Sequence, residues 1–340
     1  MALRDDKVTL SHGGGGKAMR DLIEEVFTAV FEPPGMEDQA VLEAAALAEP
    51  GARLAFTTDS FVVTPIEFPG GDIGKIAVCG TVNDLAVGGA VPLWLSAAFI
   101  IEEGTEIALL RRVVASMARE AAAAGVRIVT GDTKVVGRGA CDTLFVTTSG
   151  VGVIPPGRAM GAARVRPGDV AIVNGVLGDH GAAILAARGD LALSTDLQSD
   201  CAALGHLMAD VLAAAPGAKA ARDLTRGGLA SALNEIAETA GCGIEIAEED
   251  LPLRAEVVGV CEILGLDPLY LANEGRLVVF VPEAEAAAAL SAMRARPEGA
   301  GAAVIGRAVE GHVGQVRMRT AFGGARIVDM LVGEQLPRIC

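Results

Sequence analysis

Apolar residues recur at helical spacing at Met19, Leu22, Ile23, Val26, Phe27, Val30 and Phe31. This predicts an amphipathic helix over 17–31, entered from Gly13, Gly14, Gly15 and Gly16 and ended by FEPPG. A strand is predicted over 53–57, stopping at Asp59. A helix built on Ile73, Ile76, Ala77 and Leu85 follows, with Asp84 near its end. Next come a strand over 93–101, a helix over 106–124, a strand over 126–130 that runs into Gly131-Asp132-Thr133-Lys134, and a strand over 143–154. Pro155-Pro156-Gly157 and the turn Arg166-Pro167-Gly168-Asp169 mark a domain junction. Beyond it, a strand over 169–175 leads through Gly178-Asp179-His180-Gly181 into a helix. Helices near 202–214 and 227–240 and strands near 243–247, 276–281 and 303–309 complete the second half. Strands and helices alternate in both halves, which predicts two α/β units. The expected segments are a glycine loop and helix (1–35), an N-terminal domain (36–156), a C-terminal domain (157–329) and a tail (330–340).

A chain of 340 residues that is 51% hydrophobic and 21% charged can bury two cores and is too apolar to be disordered. Its net charge of −15 repels phosphate backbones, so nucleic acid is not an expected partner. An acidic protein that uses a nucleotide must neutralise phosphates locally, and Mg2+ held by carboxylates is the usual means. No run approaches the ~20 apolar residues of a spanning helix, and MALRDDKVTL lacks a secretory pattern. The expectation is therefore a cytoplasmic protein with no membrane partner. Cys79, Cys141, Cys201, Cys242, Cys261 and Cys340 form no C-x-x-C pair, so neither a disulfide framework nor a structural zinc site is indicated. Most of these thiols sit in apolar company and read as inert core residues. Cys340, the last residue, is the exception, because chain ends seldom join a core.

The run Ser11-His12-Gly13-Gly14-Gly15-Gly16-Lys17 allows backbone N–H groups to approach an anion at a helix start. It departs from the Walker pattern, with Ala18 where a Mg2+-binding hydroxyl belongs, and equally suits a loose N-terminal arm. Asp59 in TTDSF, Asp84 in TVNDLAVGG, Asp132 in TGDTKV and Asp223 in RDLTRGG read as carboxylates at element ends. Singly they suit caps and turns; together, with glycine-rich flanks, they suit a hard cation that bridges to phosphates. Lys134 suits phosphate neutralisation or acid–base work, or is a solvated surface amine. Glu274, in LANEGR, is a turn carboxylate or a base. Leu336-Pro337-Arg338-Ile339-Cys340 places a thiol on an extended tip, and prenylation is excluded because that signal needs three residues after the cysteine.

The motifs SHGGGGKAM, TTDSFVVTP, GTVNDLAVGGAVP, GDTKVV, DLTRGGL, LANEGR and terminal PRIC run in order along the chain. Together they resemble the HypE family of hydrogenase maturation proteins. Several are shared with the wider PurM-like superfamily of aminoimidazole ribonucleotide synthetase, selenophosphate synthetase and thiamine-monophosphate kinase. The resemblance implies a two-domain PurM-like α/β (α+β) fold, with an N-terminal mixed sheet pairing across a homodimer and a mobile C-terminal tail. It implies Mg-ATP bound by His12, Gly13, Gly14, Gly15, Gly16, Asp59, Asn83, Asp84, Asp132, Thr133 and Asp223, with the four aspartates holding the metal. It further implies that a HypF-type carbamoyltransferase loads Cys340, that ATP-dependent dehydration with Lys134 and Glu274 as proton relay makes a thiocyanate, and that a HypC–HypD complex accepts the cyanide for [NiFe] hydrogenase. The alternatives are a free small-molecule ATP-dependent synthetase or kinase of the same superfamily, and a non-enzymatic carrier.

Overall fold

The computed structural model describes residues 6–14, 16–33, 39, 40, 42, 45, 49–189, 196–331 and 339. The predicted first helix forms as α1 (Lys17–Leu22) and α2 (Ala29–Phe31), joined without a break by a π-helical stretch, Ile23–Thr28. The N-terminal sheet is built from β1 (Arg53–Phe61), β4 (Val91–Glu102), β5 (Arg127–Val136) and β6 (Leu144–Ile154), in the order β1-β6-β4-β5. The short pair β2 (Glu67–Phe68) and β3 (Gly71–Asp72) leads into α3 (Ile73–Val87), whose N-cap Asp72 accepts from the backbone N–H groups of Gly74 and Lys75.

Alternation decides which face of this sheet is covered. Leu95, Ala97, Phe99 and Ile101 of β4 are buried against α3, the N-terminal helix and α4 (Ile107–Ala124). Helix α4 offers Ile107, Leu110, Val113, Val114, Met117 and Ala121 on one stripe and stops at Gly125 in the left-handed region. The opposite face stays open: Phe56 is 68% and Ile100 41% exposed.

The C-terminal sheet contains β7 (Val170–Val173), β8 (Ala220–Asp223), β9 (Gly243–Ala247), β10 (Leu277–Val281), β11 (Ala303–Val309), β12 (Val316–Arg319) and β13 (Ala325–Val328), in the order β13-β12-β9-β11-β7-β10-β8. Its helices are α5 (Asp179–Arg188), α6 (Gly205–Ala214), α7 (Gly228–Ala240), α8 (Ala255–Leu264) and α9 (Ala286–Arg294). Every residue of β10 is buried because both faces are covered: Val278 and Phe280 join the α7 core, while Leu277, Val279 and Val281 join the α6 and α9 core.

Several boundaries differ from the sequence reading. β1 does not stop at Asp59 but continues to Phe61, and β5 runs through Gly131-Asp132-Thr133-Lys134, because both are held in register by neighbouring strands. β8, α8, α9, β12 and β13 were not foreseen; β8 is only AARD, and α9 is dominated by alanine, so neither carries a clear apolar period.

Candidate active site

Asp59, Asp84 and Asp223 converge from three elements. Asp59 lies on the covered side of β1, in register with buried Thr148 of β6. Asp84 sits near the end of α3 and accepts from Thr57 Oγ1 at 2.8 Å. Helix and strand approach this closely because residue 80 is glycine: a Cβ there would stand 2.9 Å from the Phe61 ring and 3.8 Å from Asp59 Oδ2. Asp223 ends β8, which packs against α3. Burial, then the Asp84 carboxylate and more weakly Asp59, push Asp223 up to about 7. Burial also raises Asp59 and Asp84.

Glu274, just before β10, is 1% exposed, and neither carboxyl oxygen has a hydrogen-bond partner among the described residues. Burial holds it well above the usual carboxylate range, reinforced by Asp200, Asp223, Asp59 and Cys79. It is therefore an enclosed carboxyl with a raised proton affinity, not the surface turn residue its neighbours Asn273 and Gly275 suggest. Its backbone N–H donates to Asp200 Oδ1 at 3.0 Å, and Asp200 faces Arg276 at 3.3 Å. Asn83 is a buried clamp. Its amide donates to the carbonyls of Ala202 (3.1 Å) and Glu274 (3.4 Å), and its Oδ1 accepts from Leu204 N–H at 2.7 Å.

Asp132 and Lys134 do not join this group within one chain. They stand on β5, at the sheet edge opposite β1 and on its open face, in register with Ala98 and Ile100. Three strand spacings, about 14 Å, separate the two edges. The ion pair between them measures 3.0 Å, and both side chains are more than half exposed, at 64% and 56%. Lys134 chiefly holds the Asp132 carboxyl below its ordinary range. The reading as element-end carboxylates holds for Asp84, in the last turn of α3, and for Asp223, the last residue of β8, and is corrected for Asp59 and Asp132, which lie inside strands. Thr133 points inward and is buried. The glycine loop also belongs to the β5 edge. His12 closes the turn Leu10–Gly13 by accepting from Thr9 N–H at 3.0 Å, and a Cβ on Gly13 would stand 2.8 Å from Val135. Gly14 and Gly16 lead into α1, while Gly15 lies outside the described residues.

Among the described residues, no trio of His, Cys, Asp or Glu is arranged closely enough to hold a metal ion. The carboxylates do crowd negative charge: Asp59 and Asp84 raise Asp223 by repulsion that a divalent ion would relieve.

Cys340 lies outside the described residues, but its neighbour Ile339 is seated in the body. Ile339 is 4% exposed, forms an antiparallel bridge with Val63, and its carbonyl accepts from His180 Nε2 at 2.8 Å. Ser199 bonds both His180 Nδ1 (2.8 Å) and the Cys201 N–H (3.1 Å). Burial, then Cys79, raises the Cys201 thiol well above its ordinary range, with Glu274 acting in the same direction. The tail seat and Glu274 are thus joined through the loop that carries Ser199, Asp200 and Cys201. Nothing in the local sequence singles out Asp200 or Ser199, and His180 stands there only as part of a turn. Cys79, Cys201, Cys242 and Cys261 are buried free thiols, as expected, whereas Cys141 is partly exposed.

Models of the AIR synthase related protein family match both halves, the N-terminal domain over residues 36–154 and the C-terminal domain over 166–319. The carbamoyl dehydratase HypE of Rhodobacter capsulatus is 87% identical over 340 residues, covering 100% of both chains. A crystal structure of hydrogenase maturation protein HypE in complex with ATP superposes with a TM-score of 0.92 at 46% identity, covering 98% of this chain and 99% of the other. The corresponding chain of a HypE–HypF complex gives a TM-score of 0.80 at 45% identity, covering 91% and 99%. From its terminal PRIC to its paired domains, the chain belongs to the HypE family of AIR synthase-related proteins.

Proposed function

We propose that this chain is an ATP-dependent carbamoyl dehydratase that converts an S-carboxamide on its own Cys340 into a thiocyanate, the cyanide source for the iron of [NiFe] hydrogenase. The observation that carries this reading is the inward seat of Ile339, which brings the tail to the loop shared with Glu274. Oxide is a poor leaving group, so ATP supplies a phosphoryl group to the carboxamide oxygen. Departure of phosphate and loss of both amide protons then leave S–C≡N. Glu274 is the proton acceptor: its enclosure raises its proton affinity, and positive charge bound beside it would lower that affinity toward that of a working base. Asp59, Asp84 and Asp223 would hold Mg2+, which neutralises phosphate charge.

Asp132, Lys134 and the His12–Gly16 loop would enter this site from a second copy. The open sheet face with exposed Phe56 and Ile100 favours such pairing, and a two-fold axis would set the β5 edge of one chain against the β1 edge of the other. Carbamoyl loading by a HypF-type partner, delivery to a HypC–HypD complex and a cytoplasmic setting belong to the same reading. No described helix is long and apolar enough to cross a membrane. The test is intact mass spectrometry of the carbamoylated protein before and after Mg-ATP. The tail is expected to lose one water only with ATP; an unchanged mass refutes the dehydratase reading. A free-substrate synthetase or kinase would keep full turnover after removal of Cys340.

A further inference from the structure

We infer that His180 is a latch that holds the carboxy-terminal tail in its inward position. The inference deepens the dehydratase reading by naming a positioning residue for the self-substrate. The Ile339 carbonyl can only accept, so His180 Nε2 must carry the hydrogen of their 2.8 Å bond. On the other side of the ring, Ser199 Oγ accepts the Cys201 N–H at 3.1 Å. Its own hydroxyl is thereby directed at His180 Nδ1, 2.8 Å away. One unbroken chain of donors therefore runs from the Cys201 amide through Ser199 and the imidazole to the tail, and it selects a single neutral tautomer. Burial, which lowers the His180 pKa, favours that same neutral ring.

The ring is also fixed mechanically. It is fully buried, meets Phe68 edge-on at 5.6 Å, and follows Asp179, which is pinned by Arg254 at 3.0 Å. With the antiparallel bridge at Val63, the tail is thus gripped by its backbone at the residue before the reacting cysteine. A backbone grip sets register, and register matters because a slip of one residue in extended chain exchanges the sides on which successive side chains lie. It also suits a tail that must leave, since a few hydrogen bonds, each worth little net of water, can be broken and remade.

The first test uses the wild-type fold: carbethoxylation of His180, followed by peptide mass mapping, in the full chain and in a chain ending at residue 335. His180 is expected to be protected in the full chain and to react about tenfold faster without the tail, the order of a lost hydrogen bond with its burial. Equal rates overturn the latch. The second test is the maleimide alkylation rate of Cys340 in His180→Leu and His180→Gln. Leucine removes the donor and is expected to speed alkylation about five- to tenfold, with ATP affinity unchanged. Glutamine keeps an Nε donor and should restore the slow rate. A wild-type rate in His180→Leu, or no rescue by His180→Gln, also overturns the latch. Neither readout involves ATP turnover, so failure of the dehydratase reading would leave these outcomes separately decided.

Discussion

Glu274 and Asp223 both hold a proton more tightly than their sequence neighbours give reason to expect. Glu274 does so because it is enclosed without hydrogen-bond partners among the described residues, Asp223 because burial and the Asp84 carboxylate oppose its charge. Both folded pKa values lie above their unfolded ones, so the native state binds more protons. Their contribution is full below the unfolded carboxylate range and is lost as pH rises through the folded values, about 7 for Asp223. Urea midpoints of the metal-free protein should therefore fall between pH 5 and pH 8. Asp223→Asn should raise stability at pH 8 by about 1–2 kcal/mol, discounted for the water its side chain still meets, while weakening Mg-ATP binding measured by calorimetry. Glu274→Gln should also flatten the pH dependence, and should retain ATP binding while losing dehydration of the tail. An unaltered pH dependence in Glu274→Gln would mean that the carboxyl is ionised throughout.

The strand β5 separates two meanings of a glycine motif. GDTK in isolation reads as a loop, because glycine and aspartate are common in turns. In the folded chain Gly131 pairs with Ala97, and a Cβ would stand only 2.2 Å from the Ala97 carbonyl oxygen. The glycine is required for close approach of two backbones rather than for a bend. Gly131→Ala should cost about 2–4 kcal/mol by urea denaturation and shift Asp132 and Lys134 relative to the sheet. Unchanged stability would mean that β4 and β5 are not held at this spacing. Helix α4 was the opposite case: its apolar stripe and Gly125 stop are local signals, and the predicted span nearly coincides with the observed one. The first helix was legible in extent, but its π-wound centre was not, since Ile23–Thr28 (IEEVFT) contains no glycine, proline or other local signal that sets it apart from ordinary helix.

Across the molecule, the candidate site is divided between opposite edges and faces of the N-terminal sheet. Asp59, Asp84 and Glu274 are on one side, with Asp132 and Lys134 on the other. If two copies complete each site, Lys134→Ala and Asp84→Asn will each be inactive alone. Subunits mixed by reversible dissociation will then regain about a quarter of wild-type activity, because half the dimers are mixed and one of their two sites is intact. No recovery after demonstrated exchange would place each site within one chain. Phe56→Glu, which puts charge on the exposed apolar face, should yield monomers in sedimentation and lose activity with them. Full activity in a monomer would refute the paired site.

Much of this protein lies in local sequence. The alternation of apolar and polar positions determines that there are two α/β units, and the ordered motifs ending in Cys340 determine the family. The identities of Asp59, Asp84, Asp132, Lys134, Asp223 and Glu274 stand out by their small and glycine-rich surroundings. What only the tertiary structure decided is how these residues are grouped, that Glu274 is buried, that Asn83 is a clamp, and that Ile339 is held by His180. The physical reason is sequence separation: the bond from His180 to Ile339 spans 159 positions and the amide of Asn83 reaches Glu274 across 191. No local period or turn signal carries such contacts; they exist only once the sheets and the loops between them have closed.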